Sequence, residues 1–165
     1  MEAAAWGLIG TFVGALSSIG TTWLATRTSY KVQGAKLADE RIERAKAFQR
    51  ETLLSLQEEV HDAIRLSVRA HLADSAAFRE SGSWGRRLLP NDLDEDFRVS
   101  RRKVVLLIER VADDSLRSEV SALMTLANEA GYAKSLKDAE SAQVAMFNKA
   151  TRVMGQMGTV LRRHY

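Results

Sequence analysis

Glu58 and His61 stand three residues apart in EEVHDAIR, a spacing that places a carboxylate and an imidazole on one face of a helix, where they could share a metal ion. Diiron bundles use this Glu-x-x-His pair twice and add a Glu from each of two further helices. Here the pair occurs once, and His71 and His164 complete no second copy. The residues therefore read as a solvated or ion-paired histidine on a bundle helix, and neither a metal nor another cofactor is expected. Phosphate-cradling GxxxxGK[ST], a GxSxG elbow and a Cys/His zinc set are all missing, and the serines and aspartates suggest no catalytic grouping. A non-enzymatic protein is expected.

The basic residues cluster at Arg86 and Arg87, at Arg98, Arg101, Arg102 and Lys103, and at Arg162, Arg163 and His164. Nucleic acid is not the expected partner. The clusters carry no aromatic platform, Asp92, Asp94, Glu95 and Asp96 cancel part of the field, and the net charge is only +3. Two uses remain: attraction to anionic lipid, about 1 kcal/mol per basic residue near the surface, or solvated ion pairs within the fold, each of small value. The stretch SWGRRLLP offers a candidate partner loop in Trp84, Arg86 and Arg87. Its apolar residues favour another role, in which Trp84, Leu88 and Leu89 fold back and close the end of the domain.

The elements that position these residues all read as helices. Apolar residues make up 45% of the chain and charged residues 27%, ordinary globular values, with one proline and no alternating β pattern. From Thr26 to about Arg50 only Ala35, Ala38, Ile42 and Ala45 form a narrow 3, 4, 3 seam, which suits a polar helical stalk, in a short coiled coil, flanked by pairs such as Glu40 and Arg44. Gly34 costs that helix about 1 kcal/mol against Ala and is a candidate bend. The seam then thickens through Leu53, Leu56, Val60, Ile64 and Val68, with the helix reaching about Phe78.

The loop ESGSWGRRLLPND follows, and Asn91 with Asp94 resembles a helix start. The next helix carries Leu93, Phe97, Val104, Leu107, Ile108 and Val111. Asp113 or Asp114 caps its successor, which carries Leu116, Val120, Leu123, Ala127 and Ala130 and ends at Gly131. The last helix runs from Leu136 through Ala139, Met146, Ala150, Val153, Met157 and Val160, with Phe147, Met154 and Leu161 widening the face. Burying one Leu or Phe is worth about 1.5 to 3 kcal/mol, so four such faces should pack as an antiparallel bundle with short connections.

Residues 3 to 25 contain no charged side chain. At about 1.5 Å per residue this run would reach about 34 Å, enough to cross a hydrocarbon core of roughly 30 Å. Trp6 and Trp23 mark its borders, about 25 Å apart along a helix, where aromatic rings settle at membrane interfaces. A cleavable signal peptide fits poorly because no positive n-region precedes the run. Arg27, Lys31, Lys36 and Arg41 follow it and no Lys or Arg precedes it, so the N-terminus is expected outside and the rest in the cytoplasm. The absence of cysteine agrees with a reducing compartment. Within the span Gly7, Gly10, Gly14, Ser18 and Thr22 make a face of small residues that a second helix could approach closely.

The sequence thus divides into an anchor at 1–25, a polar stalk at 26–50 and a cytoplasmic helical bundle of about four helices at 51–165. The Gly-rich anchor ending in TTWL, the stalk, FQRETLLSLQEEVHDAIR and WGRRLLPNDLDEDFR together resemble a group of small uncharacterised bacterial single-pass membrane proteins of actinobacterial type. That resemblance implies a bacterial inner-membrane protein and transfers no activity or site residues. The functional expectation is a homo-oligomeric, membrane-anchored scaffold that recruits a cytoplasmic or membrane protein. The rival expectation is an oligomerising membrane-active effector, such as a pore, holin, toxin or phage-defence component, and a third, a metal-binding bundle enzyme, rests only on Glu58 and His61.

Overall fold

The computed structural model describes the backbone of residues 2–85 and 91–165, and the side chains of residues 23, 26, 27, 29, 30, 32–85 and 92–165. Among these residues are four helices and no strand: α1 (Glu2–Ser81), α2 (Asn91–Ile108), α3 (Asp114–Gly131) and α4 (Leu136–Arg162). The chain divides into two compact units, Met1–Ala45 and Lys46–Tyr165.

In the first unit every described side chain from Trp23 to Ala45 is exposed except Glu40, which is half-buried. Arg44 reaches back one turn to Glu40 at 3.2 Å, the anticipated pair, and the Arg27 guanidinium lies 5.3 Å from the centre of the Trp23 ring. Tyr30, Val32, Leu37 and Ile42 all stand exposed. The helix continues through Gly34, the candidate bend. Among the described residues no helix is long and apolar enough to cross a membrane. The side chains of the candidate span, including Trp6, Gly7, Gly10, Gly14, Ser18 and Thr22, lie outside the described residues, as do those of Lys31, Arg86, Arg87, Leu88 and Leu89.

In the second unit cross-helix bonds fix the directions of the helices. Glu59 meets Lys103 at 2.9 Å, and Gln49, ten residues earlier, donates to the Arg110 carbonyl at 2.9 Å and accepts from the Ala112 amide at 3.0 Å. The position on α2 rises as that on α1 falls, so the two run antiparallel. The same logic holds for α3 and α4, where Glu119 pairs with Lys149 at 2.7 Å and Ser115 with Gln156 at 3.2 Å. Ser67 with Gln143 and Arg50 with the His164 carbonyl set α1 against α4. The unit is an up-down-up-down four-helix bundle.

Its main core takes Leu53, Leu56, Val60 and Ala63 from α1, Val104 and Ile108 from α2, then Val111, Leu116, Val120 and Leu123, and Met146, Val153 and Met157 from α4. Met154 and Leu161 pack against it as partly buried side chains. Phe147, expected to widen the α4 face, is 47% exposed, whereas its neighbour Met146 is fully buried. One residue is about 100° of rotation, enough to carry Phe147 off a face already filled by Met146, Ala150 and Val153. A second, smaller cluster of Leu66, Ala70 and Leu93, with Phe97 against it, lies farther along α1.

Caps end the helices as their sequences require. Asp113, in extended backbone, accepts from the Leu116 amide at 2.8 Å, satisfying a donor that the first turn of α3 leaves free. Ser135 does the same for α4 by accepting from the Asp138 amide. At the other end of α1, Gly82 and Gly85 take positive φ angles of 67° and 71°, which a side chain would oppose, and turn the chain away from the helix.

Candidate functional site

The half of the bundle around the main core is buried and aliphatic. The half beyond it holds the three buried polar side-chain atoms that lack a hydrogen-bond partner among the described residues: His71 Nδ1, Ser100 Oγ and Gln143 Oε1. Such atoms are uncommon in a folded interior and set this half of the bundle apart from the aliphatic half. Gln143 is only 7% exposed and donates through Nε2 to the Ser67 hydroxyl and carbonyl, each at 3.3 Å.

Beside this pair, between the two core clusters, lies a cavity of about 100 Å³. Ser67 and Ala70 of α1 form one wall, Asp94 and Phe97 of α2 another, and Ala127, Asn128 and Gly131 of α3 with the following Tyr132 the third. The space exists because the facing positions on α1 and α3 are small. Arg101 reaches from α2 to the Asn128 amide oxygen at 3.2 Å and holds it. The walls thus offer one carboxylate, one amide, two hydroxyls and two aromatic rings, a set suited to gripping a small ligand without covalent chemistry.

The same end of the bundle is closed by Trp84. Its indole N–H donates to the Ala133 carbonyl at 2.9 Å, tying the segment after α1 to the turn between α3 and α4. The ring sits 6.0 Å from Phe78 in an edge arrangement and 6.0 Å from His71, tilted. Burial holds the Asp74 carboxyl above the usual aspartate value, and His71 nearby pulls it back down.

The other residues singled out from sequence are dispersed. Glu58 and His61 are both exposed on α1, and among the described residues no three metal-ligating side chains come together. Several members of the basic clusters serve the fold itself. Arg98 pairs with Glu95 at 3.5 Å, Lys103 with Glu59, and Arg163 with Asp113 at 3.6 Å. The hydrogen bond and charge of Glu59 raise the Lys103 pKa above the ordinary lysine value. Arg50 lies over the Tyr165 ring at 5.3 Å and fastens the C-terminus to α1.

Sequence reasoning missed Ser67, Ser100 and Gln143, although a signal was present. Each falls on the 3, 4 row of its helix, between apolar residues, where a polar side chain is out of place. Compared with known proteins, the chain matches no family model, no curated protein and no solved structure.

Proposed function

We propose that the protein is a single-pass inner-membrane scaffold, anchored by residues 1–25, whose cytoplasmic bundle recruits a protein partner while the span and stalk associate with other copies. The observation that carries this reading is the contrast between the two units. The bundle has a buried core of its own, although Leu54, Leu72, Leu106 and Val144 stay exposed on it, whereas every described stalk side chain from Trp23 to Ala45 except Glu40 is exposed, Tyr30, Val32, Leu37 and Ile42 among them. A helix whose apolar side chains find no cover in their own chain gains from a second helix, and the sequence directly before it is an uncharged run of membrane-spanning length. The small-residue face of Gly7, Gly10, Gly14, Ser18 and Thr22 gives the same association a route inside the bilayer. Trp6, Trp23, Arg27 and Lys31 set the depth of the span, and the resemblance to small bacterial membrane proteins agrees with that setting.

The test is fractionation of the full-length chain, followed by crosslinking in native membranes. The protein is expected to stay in the pellet through alkaline carbonate, to expose its C-terminus to protease only from the cytoplasmic side, and to crosslink to itself and to a second protein. A chain that washes free and remains monodisperse without detergent refutes the anchor. Collapse of the membrane potential on expression would favour the membrane-active effector instead.

A further inference from the structure

We propose that the cavity between α1, α2 and α3 binds a small aliphatic ammonium ion of about the size of tetramethylammonium. The space of about 100 Å³, open to solvent beside Asp94 and Tyr132, is well above the roughly 10–15 Å³ one water needs and below the roughly 150 Å³ that accepts benzene, so it suits a ligand with a handful of non-hydrogen atoms. The sign of the ligand follows from the walls. Among the described residues Asp94 is the only charged one lining the cavity and makes no ion pair, while the neighbouring Arg98 pairs with Glu95.

The rings of Phe97 and Tyr132 stand in the same lining, and aromatic faces with a nearby carboxylate are how proteins hold alkylammonium groups that cannot donate a hydrogen bond. Arg101 engages the Asn128 oxygen and is not itself part of the wall. Two of the lining positions that belong to the cores are alanines, Ala127 of the main core and Ala70 of the smaller cluster, and their small side chains keep the space open. Larger apolar residues there would have joined the two clusters into one core. The inference stands apart from the membrane anchor and survives if the anchor fails.

The experiment titrates the full-length protein, in a maltoside detergent free of ammonium groups, with tetramethylammonium chloride and follows amide resonances at constant ionic strength. Saturable shifts centred on Ser67, Phe97, Asn128 and Tyr132 are expected. Neopentyl alcohol, the uncharged molecule of similar shape, should bind about tenfold more weakly, and Asp94→Asn, an exposed change, should weaken tetramethylammonium by about fivefold or more. Shifts that do not saturate, an unchanged affinity in Asp94→Asn, or equal binding of neopentyl alcohol overturns the proposal.

Discussion

Trp84 tests whether the segment after α1 is a structural closure or a free tip awaiting a partner. Trp84→Phe keeps a ring against Phe78 and His71 but removes the N–H that reaches the Ala133 carbonyl at 2.9 Å. That bond is worth about 0.5 to 1.5 kcal/mol net. Because the site is only half-buried and water can replace the donor, the lower part of that range is expected. Trp84→Ala also removes both ring contacts, about 0.5 to 1.5 kcal/mol each beyond their area. The total is then about 2 to 4 kcal/mol, with each kcal/mol lowering Tm by about 4 °C in a domain of this size. Urea unfolding of the full-length protein in maltoside, followed by circular dichroism at 222 nm, measures both variants. The urea midpoints should fall in the order wild type, Phe, Ala, with the slope unchanged. An Ala variant that unfolds at the wild-type midpoint would refute the closure and return Trp84 to the surface as a binding tip.

Neighbouring residues on α4 test its register: Met146→Ala should cost about 2 to 5 kcal/mol by leaving a cavity in the main core, whereas Phe147→Ala should stay within about 0.5 kcal/mol. Equal shifts in the urea midpoint would contradict the packing. Asp74 gives a pH prediction. Its folded pKa is raised, so the folded state holds the proton more tightly than the unfolded chain, and stability falls as pH rises from the ordinary aspartate value of 3.8 through the folded value. Asp74→Asn should therefore stabilise the bundle at neutral pH, by less than about 1 kcal/mol because the half-exposed carboxyl is screened by solvent. The gain should vanish below the titration. A loss of stability at neutral pH, or a gain that persists in acid, would contradict burial as the dominant influence.

Local rules explain why so much of the bundle was legible beforehand. The apolar rows of α2, α3 and α4 follow from helical periodicity, and the breaks between them follow from glycine, proline and capping chemistry that acts over three or four residues. Asp113 as a cap and the Glu40–Arg44 pair belong to this class, since both partners lie within one turn. Phe147 marks the limit. It is apolar and beside the row, and only the space already taken by Met146, Ala150 and Val153 decides that it faces water.

The candidate site was legible only as an anomaly. Ser67, Ser100 and Gln143 interrupt apolar rows, which marks a polar layer, but no single row says which interruptions meet. That Gln143 bonds Ser67 across 76 positions, and that Ala70, Phe97, Ala127 and Tyr132 surround one space, depends on how three helices align along their axes. Residue type and spacing by themselves determined an all-helical chain with four amphipathic segments, because turn-by-turn periodicity and capping are local interactions. The tertiary structure alone decided which small and polar residues share a cavity, because alignment between helices is set by side chains far apart in sequence competing for the same interior volume.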